Sequence, residues 1–303
     1  MTLRTVLIFL LVSVCALPLG AAAQSPTQAE NAALDQKVKA EVASFKGKVY
    51  IFAKNLDTGE TYALAADERV KTASTIKIAV MIEAFARVNE GKAKWSDEVV
   101  STKSKMVSGS GILAELSDGL HLTLRDAVNL MMMLSDNTAT NLVLDVLTTD
   151  AVNARMESLG IKNIRILRKV GSGGDSIAGK DPANKPFGLG FSTMRDMVAL
   201  MEKLERGEVI SPKVSKEMIE LMKNEQDRNA IGRSLPDLPM ASKYGALDHL
   251  RSAAGIIYSK RGRIAMAITC DEMPEVLWSV DNPAYLLMSR LSEILVDGLA
   301  KHS

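Results

Sequence analysis

The sequence predicts an α+β fold: an antiparallel sheet flanked by terminal helices, with an all-helical subdomain inserted between its strands. Three observations predict it. A helical apolar stripe and a hairpin pattern open the chain after its first two dozen residues. Helical patterns then run from about residue 75 to about residue 204. Two alternating apolar runs and one more helix close the chain. The 303 residues are enough for one large domain with a substantial core.

Residues 1–23 have the form of a secretory signal peptide: Arg4, an apolar run from Val6 to Leu19, and Ala21-Ala22-Ala23 before a cleavage site at Gln24. The run is short for a membrane span, and bulky Val14 before Cys15 argues against a lipid anchor there. A secreted or periplasmic protein is therefore expected, monomeric and without a membrane span once the leader is removed. Residues 24–303 read as one domain, with a sheet region at about 24–70 and 208–303 and a helical region at about 71–207.

Pro26 to Phe45 places Ala33, Leu34, Val38, Val42 and Phe45 at helical spacing. Val49–Ala53 and Thr61–Leu64 read as strands around the bend Asn55–Gly59. Thr75–Val88, Arg125–Leu134, Thr138–Leu147 and Ala151–Leu159 read as helices, with Gly160 ending the last. Residues 168–192 carry six glycines and two prolines without apolar periodicity, which makes them a long loop. Thr193 opens a helix to about Leu204, and Ser211-Pro212 opens the next. Gly255–Tyr258 and Ile264–Cys270 are strands around the turn Ser259–Gly262, and Asn282-Pro283 opens a final helix to about Ala300.

Composition narrows the chemistry. Lys plus Arg number 37 and Asp plus Glu 36, so no basic excess points to nucleic acid. Aromatic residues are 4%, too few for a base-stacking platform. Two cysteines exclude a disulfide scaffold, and His121, His249 and His302 are too scattered for a zinc site. No metal or cofactor is expected. Cys270 ends an alternating run and reads as a buried strand thiol. Met131-Met132-Met133, Trp95 and Trp278 read as packing residues. Gly174 to Lys180 approaches a phosphate-binding loop, but Asp181 stands where a hydroxyl is required and Pro182 follows. The remaining chemistry is that of Ser, Lys, carboxylates and backbone.

Three short motifs supply it. In Ser74-Thr75-Ile76-Lys77 the serine sits at a helix start, with the lysine one turn on and on the same face. A lysine of lowered basicity there can take the hydroxyl proton and leave a nucleophile. Ser135-Asp136-Asn137 interrupts two helices, so a second hydroxyl and an amide can face a cleft. Lys243-Tyr244-Gly245 lies in an extended stretch, where the lysine offers charge to a carboxylate and the glycine admits a substrate backbone. Each motif alone has a plainer alternative: a solvated lysine after a helix start, an N-cap, a lysine beside a strand glycine.

In this order, Ser-x-x-Lys, Ser-Asp-Asn and Lys-x-Gly, the motifs resemble the class A β-lactamase and penicillin-binding-protein family. The resemblance extends over almost the whole chain after the leader, including Ser108 to Leu113 and Phe191 to Met197. It implies a β-lactamase/transpeptidase-like fold in which Ser74 is acylated, Lys77 is its base or proton relay, and Ser135 passes a proton to the departing amine. It implies further that Asn137 holds the substrate amide, Lys243 attracts its carboxylate, and the N–H groups of Ser74 and Ala246 form the oxyanion hole. Substrates would be β-lactams or peptidoglycan peptides.

Two departures stand out. The family's deacylating Glu has no counterpart, since residues 158–201 contain no Glu; Asp175 is the nearest acid that could substitute. Tyr244 replaces the family's Thr or Ser, so its hydroxyl is displaced outward, and Arg251 is a candidate for replacing the lost carboxylate contact. Three functions fit the resemblance. The first is β-lactam hydrolysis through an acyl-enzyme on Ser74. The second is a DD-peptidase-like activity on wall peptides with slow β-lactam release, and the third a non-catalytic wall-peptide-binding relative.

Overall fold

The structure is a computed structural model that describes residues 28–171 and 173–300. The leader expected at residues 1–23 lies outside them. Helix α1 (Gln28–Val42) leads into strands β1 (Lys48–Asn55) and β2 (Thr61–Leu64). The hairpin bend is built by Asn55, whose Oδ1 accepts from the N–H groups of Asp57 and Thr58 at 2.9 and 3.2 Å. After β3 (Val70–Lys71), a 3-10 turn at Ala73–Ile76 runs into α2 (Lys77–Asn89). Strands β4 (Glu98–Ser101) and β5 (Leu120–Thr123) precede α3 (Leu124–Met133), α4 (Asn137–Leu147) and α5 (Thr149–Ser158). Then come β6 (Arg165–Ile166), β7 (Gly190–Ser192), α6 (Met194–Glu205), α7 (Pro212–Lys223), β8 (Met240–Leu247), β9 (Leu250–Ser259), β10 (Gly262–Asp271) and α8 (Pro283–Gly298).

The main sheet has the order β2-β1-β10-β9-β8, antiparallel throughout. Both chain ends thus contribute strands, and β1 pairs with β10 across the chain from Lys48↔Asp271 to Asn55↔Ile264. One core packs the sheet under α1 and α8 through Leu34, Val38, Ile51, Ile268, Leu291 and Leu295. The other joins the opposite face to the helical region through Phe52, Ile82, Met131, Leu142 and Ala267. The run Ile264–Cys270, expected to alternate, is instead buried at every position, because β10 is covered on both faces.

The expected insertion is helical at its heart and also holds two small antiparallel sheets, β4-β5 and β3-β7-β6. Strands of two to four residues leave no periodic trace in a sequence. The segment 168–192, expected as a loop, ends in β7 and includes 3-10 turns at Ala178–Lys180 and Pro182–Phe187. Helix α7, placed by sequence with the sheet region, packs against α6, α3 and α2 as well as β8. Trp95 packs edge-on against Phe85 as expected, but Trp278 is 65% exposed. Among the described residues no helix is long and apolar enough to cross a membrane.

Candidate active site

A cleft of about 550 Å³ opens where the helical region meets the outer strand β8. Ser74, Ser135, Asn137, Val170, Gly245 and Ala246 are among its lining residues. The structure therefore brings parts of all three sequence motifs to one place, from segments far apart in the chain.

Ser74 is half-buried and reachable from the cleft. It sits in the 3-10 turn ahead of α2 rather than in the helix itself. Ala73 before it has φ +46°, a left-handed conformation that costs a non-glycine residue energy and marks functional turns. Ser135 is left-handed too, at φ +55°. It follows Leu134, the C-cap of α3, and precedes Asp136, the N-cap of α4. The Asp136 carboxylate accepts from Ala139 N–H at 2.8 Å, and from Ile112 and Leu113 N–H at 2.7 and 2.9 Å. The N-cap alternative for this tripeptide is thus correct for Asp136, and the same cap aims its two neighbours at the cleft.

Lys77 is fully buried. Its backbone N–H donates to the Ser74 carbonyl, but among the described residues no hydrogen bond joins its Nζ to the Ser74 hydroxyl. Its Nζ donates instead to the Ser135 carbonyl oxygen at 2.6 Å and to Asn137 Oδ1 at 3.0 Å, and lies 3.2 Å from Ser135 Oγ. Burial pushes its pKa well below the ordinary lysine range, and the Lys243 charge pushes the same way. Asn137 also donates through Nδ2 to the Ser108 carbonyl at 3.0 Å, so both ends of its amide already have protein partners.

The third motif is split: Tyr244 and Gly245 line the cleft, and Lys243 does not. Lys243 is fully buried, is absent from the cleft lining and is ion-paired with the Glu225 carboxylate. The Tyr244 phenol faces Asp227, and burial raises its pKa above the usual tyrosine range. Asp227 and Glu225 lie in the loop after α7, and no local pattern ties them to a lysine eighteen positions on. Gly245 packs against the nucleophile's own turn: a Cβ there would stand 2.6 Å from the Ser74 nitrogen and 2.9 Å from Ala73 Cβ. The absent side chain serves strand-to-turn contact and brings the Ala246 strand alongside Ser74.

Arg251 does not reach into the cleft. It is fully buried and donates to the carbonyls of Leu247, Leu250 and Leu277 at 2.5, 2.7 and 2.6 Å. Its guanidinium lies 4.7 Å from the ring of Trp278, which lines the cleft. Asp175 is exposed and is not among the lining residues. From the described part of the glycine-rich loop, residues 168–180, Val170 faces the cleft instead. Asn141 clamps it, accepting from the Val170 N–H at 2.9 Å and donating to its carbonyl at 3.0 Å. His249 also lines the cleft, with Nδ1 2.7 Å from the Met273 carbonyl. Among the described residues no group of His, Cys, Asp and Glu has the arrangement of a metal site.

Such a fold, with two serines lining one cleft and a buried lysine bonded behind one of them, defines a β-lactamase-like serine hydrolase. Comparison with known families and structures agrees. The model of the β-lactamase enzyme family matches residues 33–299, and the chain belongs to that family. A β-lactamase from Sphaerobacter thermophilus is similar in structure at a TM-score of 0.76 and 28% identity, covering 89% of this chain and 97% of that one. PBP-A is similar at a TM-score of 0.75 and 22% identity, covering 88% and 95%. A leucine-to-glutamate variant of PBP-A, solved as an acyl-enzyme complex with penicillin G, is similar at 0.75 and 21%, covering 88% and 96%. No curated protein sequence matches the chain.

Proposed function

We propose that the protein is a secreted serine hydrolase of the class A type that opens β-lactam amides by acylating Ser74 and releases the acyl group slowly. The observation that supports this is that Ser74 and Ser135 line one cleft, with the Lys77 amine 3.2 Å from Ser135 Oγ, and that its glycine-rich loop contributes Val170 and no carboxylate.

In acylation the Ser74 hydroxyl proton passes to the neutral amine of Lys77 as the serine oxygen bonds to the lactam carbonyl carbon. The carbonyl oxygen takes up charge against the N–H groups of Ser74 and Ala246; losing one such donor typically costs on the order of a hundredfold in rate. The C–N bond then breaks, and the proton reaches the departing nitrogen from Lys77 through the Ser135 hydroxyl, 3.2 Å from the amine. The ester on Ser74 next needs a water whose proton is taken by a base. Asp248 and Asp271 line the cleft from the sheet side, and with no carboxylate from the glycine-rich loop that step is slow. The same feature supports a second reading, a peptidase on the ends of wall peptides that β-lactams inhibit, and the acyl-enzyme complex of the PBP-A variant is in keeping with it.

Intact-mass measurement after mixing with benzylpenicillin tests the proposal. A long-lived adduct of one ligand mass is expected, absent in Ser74→Ala and formed far more slowly in Lys77→Ala. Labelling of Ser74→Ala at the wild-type rate would refute the nucleophile, and fast antibiotic loss without an adduct would refute slow release.

A further inference from the structure

Behind the cleft floor, ionisable groups are buried close together. Lys77 and Lys243 are both fully enclosed. Lys243 is bonded to the Glu225 carboxylate, and the two side chains are 0% and 3% exposed. Lys77 has no bonded carboxylate among the described residues. Its amine meets the Ser135 carbonyl and the Asn137 amide oxygen, which only accept, and the Ser135 hydroxyl, which can accept or donate. Those contacts suit an amine with two N–H bonds and a lone pair. The nearby Asp136 is committed to three backbone N–H groups.

The two lysines thus differ in what they bond: one a carboxylate, the other neutral oxygens. We infer that Glu225 is a positioning residue that keeps the proton on Lys243, so that Lys77 is the lysine left neutral next to Ser74. Glu225 is not among the cleft-lining residues and acts through Lys243. Its loop is tied to the site, since the Gln226 N–H donates to the Met133 carbonyl at 3.1 Å, two residues before Ser135.

The electrostatic directions order the two lysines the same way: burial takes Lys77 well below the ordinary lysine range and Lys243 below it with Glu225 opposing, while burial leaves Glu225 above the ordinary carboxylate range. Burial lowers the Lys77 pKa most, Lys243 lowers it next, and Asp136 and Glu225 push back more weakly. Burial also lowers Lys243, while Glu225 and Asp227 oppose it. The Tyr244 ring lies 5.0 Å from the Lys243 ammonium. Burial raises Glu225, Lys243 lowers it, and Asp227 donates its N–H to Glu225 Oε1 at 3.4 Å.

The sign of a charge deletion follows. In Glu225→Gln the buried Lys243 ammonium loses its bonded carboxylate and keeps only the weaker pull of Asp227, and that lysine gives up its proton. Lys77 then loses its strongest repelling charge and becomes more basic. It also loses the pull of Glu225, but that influence is the smaller of the two.

This inference rests on the acylation reading, and the experiment separates the two. The rate of adduct formation with benzylpenicillin is measured against pH for wild type, Glu225→Gln and Glu225→Asp. The acid limb should move to higher pH by about one unit in the Gln variant, a shift of order 1.4 kcal/mol, and stay near wild type in the Asp variant. A limb that stays put, or moves to lower pH, overturns the inference; a purely structural role would depress the rate at every pH without moving it. Carbon-13 NMR of lysines labelled at Cε gives a reading on the unaltered protein, should Glu225→Gln fail to fold. The resonance missing in Lys77→Arg should lose its proton at lower pH than the one missing in Lys243→Arg. The reverse order overturns the inference. If the wild type forms no adduct, the acylation reading fails while the NMR order still decides the proton's place.

Discussion

Val170 is the residue that the described part of the 168–180 loop presents to the cleft. Its backbone is held from both sides by Asn141, so a longer side chain would be presented to the cleft without moving the loop. Val170→Glu is expected to shorten the life of the benzylpenicillin adduct on the order of a hundredfold, the usual contribution of a positioned general base. Mass spectrometry after removal of free antibiotic measures this; an unchanged lifetime would mean that the position does not face the ester. At this scale the sequence was legible where spacing is local. Ser74 and Lys77 are one turn apart, and Ser135 and Asn137 flank a helix cap. It was not legible where the partner is distant in sequence. Glu225 and Asp227 engage Lys243 and Tyr244 across a loop, partners that no local pattern announces.

Among the elements, the contact between β8 and the 3-10 turn at Ala73–Ile76 governs the site. The strand can approach the turn only because Gly245 has no side chain. Gly245→Ala forces a methyl against backbone, an overpacking that costs about 1–3 kcal/mol. Because the displaced partner carries Ser74, acylation should fall on the order of a hundredfold, more than the stability loss alone would produce. Thermal melting together with the adduct rate checks this; a variant that melts lower but acylates normally would show that the strand's approach is dispensable. The long helices were legible from their caps, including Thr193, Ser211 and Asn282, each of which accepts from a backbone N–H in the first turn. Strand β8 was harder to see because both its faces are buried, and Ser242 and Lys243 interrupt any apolar run.

For the whole molecule, the main sheet lies between two cores. Cys270 is a gauge of that sheet's opening. It lies at the end of β10 with no exposed surface, and burial pushes its thiol pKa far above the usual range. A thiol reagent should modify it only as fast as the sheet opens, with the rate rising in urea. Modification in native buffer at the speed of a free thiol would contradict the sealed sheet. The overall α+β plan was legible because hairpin, helices and closing strands each carry their own period. The small sheets of the insertion were not, because two residues cannot display one.

Trp278 stands at the cleft mouth on the buried Arg251 guanidinium, while the other tryptophan, Trp95, is packed against Phe85 in the helical region. The molecule therefore carries its own optical indicator of occupancy. Emission from Trp278 should change when benzylpenicillin enters, over a steady background from Trp95. The change should persist in Trp95→Phe and vanish in Trp278→Phe, so that filling of the cleft can be followed in real time without a coloured substrate.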